Sequence, residues 1–199
     1  MIILGLTGSI GMGKSTAARM LRQMGVPVHD ADATVHRLMG PGGMALPTIA
    51  AAFPGVVGPH GVDRAELGRR VFGQPDQLRR LEAILHPLVR RAERRFLAVK
   101  RRQKCPMVAL DVPLLFETNG HKRCDAIAVV WCPEFLQTQR VLRRPGMTAE
   151  RLAQIRRQQM PIKEKIKRAD FLIPSGRGRA IAFSALTRIV AACRNHIPH

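Results

Sequence analysis

Ile2-Ile3-Leu4-Gly5-Leu6-Thr7-Gly8-Ser9-Ile10-Gly11-Met12-Gly13-Lys14-Ser15-Thr16 opens the chain, and its reading decides the fold. Residues 2–6 are a short apolar run rich in branched side chains, the pattern of a strand buried on both faces of a parallel sheet. Gly8 to Ser15 fits G-x-x-x-x-G-K-[ST], the P-loop spacing. After Lys14, the residues Ala17, Ala18, Leu21 and Met24 recur at helical intervals, and Gly25 is a helix stop. Val26 to His29 then reads as a second short strand running into Asp30-Ala31-Asp32. Strand, Gly-rich turn, helix and strand make a βαβ unit.

The spacing has a chemical purpose. Glycines let successive backbone N–H groups turn inward around phosphate oxygens, and the helix that follows adds its positive end. Gly8, Gly11, Met12 and Gly13, with Lys14, Ser15 and Thr16 at the helix start, are therefore the candidate nucleotide contacts. Lys14 would reach the β- and γ-phosphates, and Ser15 would hold Mg²⁺. The dinucleotide fingerprint G-x-G-x-x-G is absent, because Thr16 stands where its third glycine belongs. No N-K-x-D guanine motif occurs either. A nucleoside triphosphate is the expected ligand.

Downstream, Ala33 to Gln103 has a different character. Turn signals at Gly40-Pro41-Gly42-Gly43 and Pro54 to Gly61 bound short helical pieces. Leu78, Leu81, Ile84 and Leu85 make one apolar face, and Leu88, Val89, Ala92 and Phe96 another, with Pro87 between them. A proline inside a helix removes a hydrogen bond and clashes, so one helix is expected to end near Leu85 and the next to begin at Pro87. Met107 to Leu110 and Ala126 to Trp131 are further buried strands, and Phe171 to Ile173 a last short one. Thr148 is the expected N-cap of a helix running towards Gln159. A final amphipathic helix carries Ile181, Leu186, Ile189 and Val190 on its apolar face. The expected fold is α/β, with a parallel sheet flanked by helices. Its nucleotide-binding core spans 1–32 and 105–199, including a lid at about 137–168, with a helical insertion at 33–104 that is not expected to fold as a separate domain.

Asp30 and Asp32 lie beyond the second strand, where a carboxylate can accept the proton of an attacking hydroxyl or help order Mg²⁺. The same position suits an N-cap aspartate. Asp111 follows an apolar strand as a metal-ordering carboxylate would, or as any strand-end turn residue would. His86-Pro87 falls at the expected helix start, where an anion could bind.

The chain has 199 residues with 33 Lys+Arg against 14 Asp+Glu, a formal charge of +19, which points to anionic partners. Hydrophobic content of 46% supports a core and excludes global disorder. No window approaches the ~18 apolar residues of a membrane span, and the N-terminus lacks the marks of a secretory signal. Cys105, Cys124, Cys132 and Cys193 show no zinc-ligand spacing, so free thiols in a reducing cytoplasm are expected. One basic group comprises Arg140, Arg143, Arg144, Arg151, Arg156, Arg157, Lys163, Lys165, Lys167 and Arg168. Its position suits a lid that closes over ATP, with most of these side chains facing water. The basic cluster from Arg90 to Lys104 reads as surface. Nucleic-acid binding is disfavoured, because the basic clusters contain only Phe96 as an aromatic platform.

Taken in order, the motifs resemble the bacterial dephospho-CoA kinases over nearly the whole chain. They are GSIGMGKST from Gly8, HDAD from His29, GVDRAELGRRVF from Gly61, LEAILHPLV from Leu81, DVPLLFE from Asp111, QTQRVLRR from Gln137 and KRADFLI from Lys167. The resemblance implies transfer of the ATP γ-phosphoryl to the ribose 3′-hydroxyl of dephospho-CoA, with Mg²⁺ as cofactor. It implies that Asp32 is the general base and binds the acceptor, with His86 and Leu114 also on the substrate side. It implies too that Arg140, with Arg144 as second choice, serves the phosphates from the lid. Pro145 and Pro174-Ser175 depart from the family pattern, the latter replacing the usual Asp-Asn.

Overall fold

The computed structural model describes residues 1–195; residues 196–199, placed by the sequence reading at the end of the core, lie outside the described residues. In chain order the elements are β1 (Ile2–Thr7), α1 (Lys14–Gln23), β2 (Val28–Asp30), α2 (Ala31–Met39), α3 (Leu46–Ala52), β3 (Val57–Gly58), β4 (Gly61–Val62) and α4 (Arg64–Val71). They continue with α5 (Pro75–Arg102), β5 (Met107–Asp111), β6 (Ala126–Trp131), α6 (Glu134–Leu142), α7 (Ala149–Gln158), α8 (Ile162–Lys167), β7 (Phe171–Pro174) and α9 (Arg179–Asn195). Two compact units result: one of residues Met1–His29 with the chain from Lys100 onward, the other Asp30–Val99.

The first unit is built on a five-stranded sheet of order β2-β5-β1-β6-β7. β1 lies at its centre, parallel to β5 and β6, and β6 runs parallel to β7. Strands buried on both faces must be apolar on both. Accordingly Ala128 and Val130 of β6 join the core under α1 and α9, while Ile127 and Val129 join Leu115, Phe116 and residues of α8 in a separate cluster. Parallel pairing brings the carboxyl ends of β1, β5, β6 and β7 to one edge, the usual place for a ligand crevice. Thr148 caps α7 as expected, its hydroxyl accepting from Arg151 N at 3.2 Å. In α9 the buried stripe is Ala182, Ala185, Leu186, Ile189, Val190 and Cys193. Ile181 falls off that stripe and is 43% exposed, contrary to the expectation that it shares the apolar face.

The second unit has its own core of Met39, Ala45, Ile49, Phe53, Val56, Val62, Leu67, Leu81 and Leu85. β3 and β4 form a short antiparallel pair within it. Here the structure corrects the reading of Pro87: α5 runs unbroken through it. Proline deprives only one carbonyl four residues back of its partner. Pro87 and Ala83 are both exposed, so water can serve that carbonyl, while Leu81 and Leu85 hold the buried side of the helix. His86 is therefore an exposed residue inside a long helix, and the helix start proposed to favour an anion there does not exist.

Candidate active site

β1 ends at Thr7 and α1 begins at Lys14, so the loop between them spans the edge of the sheet. Gly11 and Gly13 have φ of 74° and 92°, the left-handed region that β-carbons oppose. Space reinforces the conformation: a Cβ on Gly11 would sit 2.5 Å from Val141 Cγ2. Gly13 caps α1 without any side-chain hydrogen bond, and the first turn holds no acidic residue. The start of that helix is thus left with its positive end and no carboxylate of its own first turn to compete with an incoming phosphate.

Lys14 Nζ donates to Asp111 Oδ1 at 2.5 Å, a pair whose side chains are 13% and 3% exposed. This contact brings together two residues separated by 97 positions and joins the loop to the end of β5. Ser15 is exposed at the first turn of α1. A hydroxyl and a carboxylate are hard oxygen donors of the kind Mg²⁺ takes, alongside water and substrate phosphate, so the residues present fit that ion.

Around the loop lies a polar clasp that sequence reasoning did not assign. Gln137 Nε2 donates to Ile10 O at 2.7 Å, and Gln159 Oε1 accepts from Ile10 N at 3.1 Å. Arg156 donates to Gln137 Oε1 at 2.7 Å and to Thr138 Oγ1 at 2.9 Å, and pairs with Glu134 at 2.9 Å. Met12 is buried against Cys132, whose backbone N lies 3.2 Å from the Met12 sulfur. Ser175 donates from its hydroxyl to Met12 O at 2.6 Å and accepts from Arg140 at 3.2 Å. Arg140 also donates to Ser175 O at 3.0 Å. Burial pushes the Cys132 thiol up from its ordinary value, with the Arg140 charge and Ser175 opposing. Gln137 had a signal, since it opens a quoted motif; Gln159 and Ser175 had none that pointed to these roles.

Arg140 is thus held at the loop, whereas Arg144 is exposed in the turn after α6. Lys165, expected among the solvated lid residues, is instead completely buried in α8. Its ammonium lies 2.9 Å from Glu117 Oε1 and donates to Pro113 O at 3.2 Å, the carbonyl that also accepts from Thr7 Oγ1. Glu117 Oε1 accepts from Met160 N as well, so the segment between α7 and α8 is tied to the loop after β5. Leu114 is half-buried in the same loop, its carbonyl taken by Thr118.

In the second unit, Asp30 is the residue that caps α2: its Oδ1 accepts from Ala33 N at 2.9 Å. Asp32 lies in the first turn and is exposed. The capping alternative for this pair of aspartates therefore falls to Asp30. The cysteines are all free, with Cys132 and Cys193 buried. Among the described residues no cluster of three His, Cys, Asp or Glu side chains is placed to hold a metal, and no helix is long and apolar enough to cross a membrane.

Comparison with known proteins supplies the family. A sequence model of the dephospho-CoA kinases matches residues 2–178. A dephospho-CoA kinase of Rhodospirillum rubrum is 56% identical over 197 residues, covering 98% of this chain and 93% of that protein. A crystal structure of a Thermus thermophilus protein superposes with a TM-score of 0.84 at 37% identity, covering 96% of both chains. The structure of a dephospho-CoA kinase from Campylobacter jejuni gives 0.66 at 21% identity, again over 96% of both, and supports the fold. With a phosphate loop at the centre of a parallel sheet and a family match running through both units, the chain belongs to the dephospho-CoA kinase family.

Proposed function

We propose that the protein transfers the γ-phosphoryl group of ATP to the 3′-hydroxyl of dephospho-CoA, releasing CoA and ADP. The observation that carries this reading is the extent of the family match, residues 2–178, which takes in both the phosphate loop and the Asp30–Val99 insertion.

The residues divide the work as follows. Lys14 leaves Asp111 for the β- and γ-phosphates, whose charge attracts its ammonium more strongly than one carboxylate does. Gly8, Gly11, Met12 and Gly13 of the loop, with Lys14, Ser15 and Thr16, hold the phosphates in line for displacement, while the Ile10 amide stays with Gln159. Ser15 and Asp111 are the oxygen donors that would hold Mg²⁺, which when bound neutralises charge on the phosphate oxygens. Asp32 takes the proton of the acceptor hydroxyl as its oxygen bonds to the γ-phosphorus and the bond to the β–γ bridging oxygen breaks. An exposed carboxylate one residue past a capping helix start is free to meet such a hydroxyl, which supports Asp32 over Asp30. Arg140 meets the charge on the transferring group, with Arg144 as the second lid arginine. His86 and Leu114 contact the acceptor.

An ADP-release assay against a panel of acceptors tests the assignment: dephospho-CoA, nucleosides, nucleoside monophosphates and sugar acids, each with ATP. Turnover confined to dephospho-CoA is the expected result. Turnover with another acceptor and none with dephospho-CoA overturns it.

A further inference from the structure

Arg140 is useful to the reaction only if its guanidinium is aimed, and a long arginine side chain is not aimed by its own backbone. Among the described residues its hydrogen-bonding grip is a single residue, Ser175. Arg140 Nη1 donates to Ser175 Oγ at 3.2 Å and Nη2 to Ser175 O at 3.0 Å. The Ser175 hydroxyl spends its own proton on Met12 O at 2.6 Å, with Trp131 O at 3.3 Å. A hydroxyl has one proton and two lone pairs, so it can hold the loop and the arginine at once. It also sits hard against the loop: a Cβ on Gly13 would lie 3.2 Å from both Cβ and Oγ of Ser175. The start of the turn at Ser175–Arg177 is fixed in the same way, because a Cβ on Gly176 would lie 2.8 Å from Pro133 Cδ. Ser175 is thus closely packed on both sides and touches both the phosphate loop and the arginine assigned to it.

We propose that Ser175 is a positioning residue that sets Arg140 against the phosphate loop. This inference rests on the role given to Arg140 above. Replacing Ser175 by alanine removes one of the two prongs and leaves the carbonyl, so Arg140 stays nearby but swings. A hydrogen bond to a charged group contributes enough that its loss should lower kcat roughly tenfold, with KM for both substrates little changed. The decisive experiment is a double-mutant cycle of Ser175→Ala with Arg140→Ala, read as kcat and both KM values. In the Arg140→Ala background, Ser175→Ala should change kcat by less than about twofold, because the group it aims is gone. Arg140→Lys, which keeps the charge but loses the two-pronged grip, should reproduce the loss of Ser175→Ala. It also stands in should Ser175→Ala fail to fold. Three results overturn the inference: normal turnover by Ser175→Ala beside an impaired Arg140→Ala, losses that multiply in the double variant, or normal turnover by Arg140→Lys. Normal turnover by Arg140→Ala itself would instead remove Arg140 from the reaction and take the inference with it.

Discussion

Replacing Lys165 by methionine tests how α8 is anchored to the loop after β5. The wild-type side chain is completely buried, and its partner Glu117 is 18% exposed. Methionine keeps most of the apolar stem, so the cavity contribution is small and the change isolates the ammonium. Pro113 O remains satisfied by Thr7 Oγ1 at 3.0 Å. Glu117 is left with Met160 N on Oε1, while its Oε2 already has no partner. The loss therefore falls on one desolvated carboxylate without a cation. Removing one member of a buried pair destabilises by about 3–5 kcal/mol, and the partial exposure of Glu117 puts this case near 3. For a chain of this size, that is a fall in Tm of roughly 6–12 °C. Adding Glu117→Gln should restore stability to within about 1 kcal/mol of wild type, since no uncompensated charge then remains. Urea unfolding followed through Trp131, the only tryptophan and a residue of β6, reads the unit that holds the pair. A single variant that loses less than about 1 kcal/mol, or a double variant no better than the single, refutes the reasoning.

Asp32→Asn should lower kcat by roughly 10²–10⁴ with ATP affinity unchanged, measured by steady-state kinetics and nucleotide titration; near-normal turnover would exclude Asp32 as the base. Lys14→Ala should weaken ATP binding as well as turnover, and unaltered nucleotide affinity by calorimetry would contradict the phosphate loop. Burial pushes the thiols of Cys132 and Cys193 up, so both should resist iodoacetamide in the native protein at mildly alkaline pH and react once it is unfolded, as peptide mass mapping would read. The same shift has a sign for stability. Above the ordinary thiol range the folded chain holds protons that the unfolded chain releases, so stability should fall as pH rises there.

The phosphate loop and the strands around it were legible because their signals are local: glycines at fixed spacing, and apolar runs too short for helices. Thr148 was legible as a cap for the same reason. Pro87 misled, because the rule against proline in helices concerns one hydrogen bond, and Ala83 and Pro87 lie on the exposed side of the helix, where water can replace it. The two aspartates at 30 and 32 could not be separated by spacing, since either could cap; Asp30 Oδ1 on Ala33 N decides it. Lys165 was hidden by its neighbours. Lys163, Glu164, Lys167 and Arg168 crowd around it in sequence, and its partner Glu117 is 48 positions away in a loop. Gln159 and Ser175 act on backbone atoms of Ile10 and Met12, contacts that only the folded chain creates.

Of the five strands of the large sheet, the central one comes first in the chain. Leu4 of β1 pairs with Ala109 on one side and Ala126 on the other, so neither flank exists until about a hundred residues have followed. At bacterial-type elongation rates of ~5–20 residues per second, that wait is roughly 5–20 s. Residues Asp30–Val99, with a core drawn from their own sequence, are all synthesised within that interval. The nucleotide loop is therefore synthesised before either strand that flanks β1. Meanwhile the run Ile2-Ile3-Leu4-Gly5-Leu6, with high β-propensity and no charge, stands unpaired in the nascent chain. Yield of this protein should consequently depend on elongation rate and chaperone supply more than its final stability suggests.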